Sequence, residues 1–215
     1  MTRNVCDKFR SSLYLILCLI LIISLASCYP EFKNPIPPPP KQKADHQILG
    51  TWVRTTKSTS KEQLSIFQRS SGWIDVVYIQ HIDSNESEDG INVAVLEGYT
   101  TFVNKQKFLC LRFRKKDHYY IDMEGFGGFL FYIFNYETTS EKDELIIKPF
   151  SLQKVKELIK EDKLNGEMVK RGKYLDEVLV TSSSDELIEA ISKEGVGAFI
   201  GQDEEDILVF KKQGK

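Results

Sequence analysis

The chain has 215 residues, with 29 Lys and Arg against 31 Asp and Glu for a net charge of −2. So small a charge steers no charged partner, and no basic block marks a nucleic-acid surface, which removes nucleic-acid binding from the expected functions. The length is enough for one domain with a sizeable core even after loss of a terminal segment.

The first element is a leader. Residues 1–10 are polar, with Arg3, Lys8 and Arg10 outnumbering Asp7, and residues 13–25 are thirteen nearly pure hydrocarbon positions without a charge. At ~1.5 Å per helical residue they reach about 20 Å, short of the ~30 Å hydrocarbon layer, so a cleaved signal fits better than a membrane span. The junction Leu25-Ala26-Ser27-Cys28 resembles the lipobox of bacterial lipoproteins, a hydrophobic and two small residues before a Cys. The resemblance implies a signal peptide over 1–27, cleavage between Ser27 and Cys28, diacylation of the Cys28 thiol and, often, acylation of the freed amine. Each acyl chain contributes about 0.8 kcal/mol per buried methylene, and two or more anchor stably. An ordinary signal cut after Ser27, leaving Cys28 a free thiol, is the alternative. Residue 29 is Tyr, not the Asp that holds enterobacterial lipoproteins at the inner membrane. The expected location is the cell envelope, outside the cytoplasm, at the outer membrane where the host has one.

Removal of 1–27 takes away three basic residues and one acid, leaving 188 residues with 26 bases, 30 acids and a net charge of −4. Cys6 and Cys18 leave with the signal and lipid consumes Cys28, so Cys110 has no partner and a disulfide framework is excluded.

Residues 28–46 hold the lipid-bearing Cys and a Pro-rich stretch, Pro30, Pro35 and Pro37-Pro38-Pro39-Pro40. Such a stretch prefers polyproline II and is expected to bury nothing, holding a domain over 47–215 off the bilayer. A ligand for a proline-reading domain is the alternative. Short β-branched and aromatic runs then predict strands near 49–55, 63–69, 73–81, 92–102, 107–114, 118–123, 129–137 and 144–148. Ser70-Ser71-Gly72, Asn104-Lys105-Gln106 and the longer 83–90 loop serve as hairpin connections. The run 129–136 is apolar on both alternating faces, so it needs a cover outside the sheet. Ser151 caps a helix that buries Leu152, Val155, Leu158 and Ile159 and stops near Asn165-Gly166. Ser183-Ser184-Asp185-Glu186 opens a second with capping-box spacing, ending near Gly195. Strands at 175–181 and 207–210 complete a mainly β, β-rich α+β domain: an antiparallel, lipocalin-like barrel or strongly curled sheet of about eight strands with one or two packed helices.

No catalytic, metal or cofactor site can be assembled from the sequence. His46, His81 and His118 lack metal-ligand spacing. Cys110 in Phe108-Leu109-Cys110-Leu111 reads as a small buried hydrophobe rather than a thiolate. The 83–90 loop places its Gly at the eighth position, against the sixth of an EF-hand. The acidic turn 203–206 reads as solvated surface. The glycine-rich stretch 124–128 lacks the Lys-Ser/Thr of a phosphate loop and reads as a bend.

Gly50-Thr51-Trp52 on the first strand resembles the Gly-x-Trp signature of lipocalins and related calycins, whose Trp closes the base of a barrel that binds small apolar molecules. Eight strands, a helix and a short strand are a similar order. The pattern departs where lipocalins carry a late Arg over the Trp, since Lys211 and Lys212 stand there, and where their Thr-Asp-Tyr loop is missing. The helix beginning at 151 is extra. Residues 179–187 leading to Leu208-Val209-Phe210 also resemble uncharacterised lipoproteins of the bacterial envelope, which implies no function. The expected function is a lipid-anchored envelope protein holding a small apolar or amphiphilic ligand. Trp52, Trp73, Phe108, Phe113, Phe129, Phe131 and Phe134 would line the cavity or fill the core. An apolar cavity of about 300 Å³ or more favours that reading. The alternative is an envelope protein-interaction module, an inhibitor or accessory subunit, with a filled barrel; an enzyme ranks third.

Overall fold

Strands that follow one another in sequence pair most readily, because a short hairpin closes at little entropic cost. The computed structural model describes residues 29–39, 44–55, 61–82, 90–114, 130–139, 141–171, 175–201 and 207–214. In chain order these form β1 (Glu31–Phe32), β2 (Gly50–Thr55), β3 (Lys61–Gln68), β4 (Ile74–Ile82), β5 (Gly90–Val103), β6 (Gln106–Phe113), β7 (Tyr132–Thr139) and β8 (Glu144–Pro149). Helix α1 (Leu152–Lys160), β9 (Gly166–Arg171), β10 (Leu175–Val180), helix α2 (Ser184–Glu194) and β11 (Leu208–Lys212) follow.

Strands β2 to β8 pair antiparallel in sequence order, and β11 closes the ring between β8 and β2. The expected barrel with packed helices is therefore what the chain builds. Its eighth stave is the C-terminal strand, because β6 pairs directly with β7. The run 118–123 lies outside the described residues, as do residues 1–28 with Ser27 and Cys28, the loop 83–89, His118, the glycine-rich 124–128, Phe129 and the acidic turn 203–206. Asn104 and Lys105 join β5 to β6 with φ of 49° and 69°, the two left-handed residues of a primed hairpin turn. Gly98 lets those strands approach: a Cβ there would stand 1.9 Å from the Cys110 carbonyl oxygen.

The outer layer exists because the β6–β7 wall is apolar on both faces. Leu109, Leu111 and Tyr136 are buried inside the ring with Trp52, Leu64, Val76 and Phe210. Phe108, Cys110 and Ile133 face outward into a second core with Phe150, Val155, Leu158, Leu187, Ile191 and Phe199. The helices cover this face as anticipated. Ser151 accepts from the Lys154 N–H and Ser183 forms a full capping box with Glu186, so both starts fall where the sequence places them. Helix α1 stops at Lys160 rather than near Asn165, since Asp162 turns left-handed (φ 55°) and the Lys163 N–H returns to the Leu158 carbonyl. Gly166 instead opens β9, a strand with only Met168 and Val169 as apolar positions, too few for a periodicity signal.

The expectation that the Pro-rich segment buries nothing is wrong for residues 29–39. Phe32 and Ile36 are 0% and 1% exposed. Strand β1 lies parallel to β10, itself antiparallel to β9, and Phe32 exchanges two 2.9 Å backbone hydrogen bonds with Phe131 just before β7. Beyond it, side chains distant in sequence donate to the backbone: Ser184 Oγ to the Pro35 carbonyl (2.7 Å), Tyr99 Oη to Ile36 (2.7 Å) and Thr101 Oγ1 to Pro37 (2.8 Å). An extended Pro-containing backbone has no internal hydrogen bonds, so its carbonyls are available to such donors. Phe32→Ala is expected to cost about 4 kcal/mol in denaturant unfolding, against under about 0.5 kcal/mol for the exposed Lys33→Ala. Equal, small effects for the two would mean that the segment is a free tether.

Candidate functional site: an apolar barrel cavity

The base of the barrel is sealed from the chain's own N-terminal side. A 3₁₀ turn, His46–Ile48, leads into β2, and the Trp52 indole N–H donates to the Ile48 carbonyl at 2.8 Å. Trp52, Ile48 and Ala44 are buried together. The Lys212 ammonium stands 5.2 Å above the Trp52 ring. Asp45 joins this plug to the wall, accepting from the Gln47 N–H (3.0 Å), Lys107 Nζ (2.8 Å) and Tyr136 Oη (3.0 Å). Burial alone would raise the Asp45 pKa, but the bonds from Lys107, Gln47 and Tyr136 together hold it below the ordinary carboxylate value.

Above the plug lies a cavity of about 260 Å³. Its wall is hydrocarbon from β3 to β8 and from β11, including Leu64, Val76, Leu96, Leu109, Leu111 and Ile147. This volume is slightly below the ~300 Å³ at which drug-sized sites begin, so the space suits a slender guest rather than a bulky one. At the open end Arg54 makes a two-pronged contact with Glu62, Nε to Oε2 at 2.8 Å and Nη2 to Oε1 at 3.0 Å, beneath 4% exposure of Glu62. Arg54 also lies 5.7 Å over the Phe210 ring. Burial, then the Glu62 charge, pushes the Tyr78 pKa far up, leaving a neutral phenol beside the pair. The arrangement is an apolar shaft with a compact polar group at its mouth, which can hold an amphiphile tail-first. Tyr29 also lines the shaft and meets Phe134 edge-on at 5.9 Å between ring centroids.

The residues expected at the cavity divide between two cores. Trp52 forms the plug and Phe134 lines the cavity. Phe108 and Phe131 point outward into the second core, and Trp73 packs against that core from outside, edge-on to Tyr99 at 5.4 Å with Arg112 5.0 Å above its ring. Phe113 is half-buried against Tyr132 at 5.8 Å, and Phe129 is outside the described residues. With both faces of β6 apolar, alternation alone cannot say which points inward. Tyr29, Arg54, Glu62 and the aliphatic wall were missed, since strand-borne Leu and Val carry no ligand signature.

Cys110 is fully buried, its thiol within 3.9 Å of the Ile36 carbonyl, and burial pushes its pKa up to about 12, which keeps it a neutral, packed thiol. His46 is the exposed first residue of the plug turn, which Asp45 caps, and His81 is exposed on β4. Among the described residues no group of three or more His, Cys, Asp or Glu side chains is placed to hold a metal, and no helix is long and apolar enough to cross a membrane. A larger depression, about 370 Å³, lies between the end of α1 and α2, but it is lined by charges that already pair, such as Lys163 with Glu194 at 2.8 Å. It reads as a wet seam. No family model matches the chain, and no curated protein and no solved structure matches it either.

Because the folded Asp45 pKa lies below its ordinary 3.8, its contribution to stability is full above that value and fades as pH falls through the folded pKa. Asp45→Asn is expected to lose about 2 kcal/mol at pH 7 by removing the charged acceptor that Lys107 and Tyr136 share, with the gap from the unaltered chain closing in acid. Urea unfolding at pH 7, 4 and 3 checks this; a pH-independent gap would remove the carboxylate from the plug.

Proposed function

We propose that the protein is a lipid-anchored envelope protein, exported by residues 1–27 and acylated on Cys28, whose barrel takes a slender apolar or amphiphilic molecule. The observation that carries the binding half is the hydrocarbon-walled cavity with the Arg54–Glu62 pair at its mouth. Hydrophobic transfer drives a chain-like guest inward, at about 25 cal/mol per Å² of apolar surface removed from water, while the polar mouth keeps a head group near solvent. The anchor half is supported by the sequence alone, through the charged leader, the short apolar run and Leu25-Ala26-Ser27-Cys28.

The second reading, an interaction module, draws support from apolar side chains left at the surface. Ile91 and Val93 are each 59% exposed on the outer face of β5. It calls for a filled interior, however, and the cavity weighs against it.

The full chain carrying Cys28→Ala, and so without an acyl chain of its own, is expected in mild detergent to bind a fluorescent long-chain fatty acid saturably at one site per molecule. Leu96→Trp and Val76→Phe, which fill the shaft from different strands, should each weaken binding at least about tenfold, a loss of roughly 1.4 kcal/mol, without abolishing cooperative unfolding. Non-saturable uptake, or equal binding by both folded variants, would remove the cavity from the function. In cells, label from a palmitate analogue should disappear with Cys28→Ala, and persistence would overturn the anchor.

A further inference from the structure

The structure places the first residue after the proposed acylation site at the open end of the barrel. Tyr29 lines the cavity beside Phe134. Cys28 is bonded directly to Tyr29 in the chain and consecutive Cα atoms are about 3.8 Å apart, so an acyl chain on Cys28 would start one residue from this mouth. The connection is not slack. Pro30 is buried with its φ restricted, the Tyr132 hydroxyl donates to Glu31 Oε1 at 2.9 Å, and Phe32 is tied to Phe131 by two hydrogen bonds of 2.9 Å. The Lys33 N–H adds a bond to the Val180 carbonyl at 3.0 Å, so the segment is pinned to both the barrel and the outer layer.

We propose that the occupant of the cavity is one acyl chain carried by the protein's own Cys28. This rests on the acylation and apolar-ligand reading above and names the ligand and its source. Two physical terms favour it. An attached chain enters as an intramolecular ligand, at an effective concentration in the millimolar range for so short a link, whereas a separate lipid gives up its own translational freedom on entering. A bilayer and the shaft are equally hydrocarbon to the chain, so transfer between them costs little, and the aliphatic walls of the shaft gain packing contacts that only a guest supplies. The volume of about 260 Å³ admits part of one chain and no more, which leaves the remaining chains of a diacylated or triacylated cysteine in the membrane. The barrel then sits mouth-down on the bilayer, with its Trp52 plug on the far side.

The test uses the full chain made in cells fed a long-chain fatty acid that carries a mid-chain diazirine, irradiated after purification and digested for mass spectrometry. The expected product is a crosslink between the Cys28 peptide and a barrel peptide bearing Leu96, Phe134 or the Leu109–Leu111 region. Leu96→Trp and, independently, Val76→Phe should each reduce it at least about fivefold while label on Cys28 persists. Barrel peptides joined to a phospholipid mass would overturn the source and keep the cavity as an acyl site. Labelled Cys28 with no barrel crosslink would overturn this occupant. Absence of label on Cys28 would instead overturn the anchor, and this inference with it.

Discussion

Leu109 and Leu111 alternate along β6 with Phe108 and Cys110, and on β7 Phe134 and Tyr136 alternate with Ile133. Neither face of that wall can be left to water. The inner set requires the sheet to curl until β11 meets β2, enclosing a hydrocarbon interior. The outer set requires a second layer, which α1, α2, the β9–β10 hairpin and the N-terminal strand supply together. Asn135, a polar residue buried on the outer face, is accommodated because its amide donates to the Lys107 carbonyl at 3.0 Å within the same wall.

That outer layer is what gives the N-terminal segment a place to bind. Strand β1 sits where β10 offers a free edge and where Phe131 continues the line of β7, so Phe32 enters the second core at the seam between sheet and barrel. The direction of the strand then decides function-bearing geometry. Tyr29 contributes to the mouth, and Ala44 and Ile48, after the undescribed residues 40–43, contribute to the plug at the other end. Tyr29 and the opening fall at one end, and the Asp45–Lys107–Tyr136 network closes the other.

The two ends differ in their electrostatics for the same reason that they differ in shape. At the plug, Asp45 is held by three donors, and the exposed Lys212 ammonium lies over the Trp52 ring. At the mouth the Arg54–Glu62 pair is held by strands alone, over a cavity and beside Tyr78.

Most element positions were legible in the sequence. The strand runs, the primed turn at Asn104-Lys105 and the caps at Ser151 and Ser183 are local physics, settled by residue type and spacing within a few positions. The need for an outer cover was legible too, from the doubly apolar run before Tyr136. What lay beyond it was parity, partnership and role. Phe108 and Leu109 are equally apolar, and only closure of the ring sends Leu109 inward and Phe108 outward. Phe32 and Ile36 are two isolated apolar residues in a Pro-rich stretch, and their burial depends on Phe131, Tyr99 and Val180, all more than 60 positions away. The proposed leader and acylation site rest on contiguous residues alone, Leu25-Ala26-Ser27-Cys28 after an apolar run. The juxtaposition of Tyr29 with the cavity is a long-range contact, which only the folded chain decides, because no local pattern encodes which barrel end a distant segment will meet.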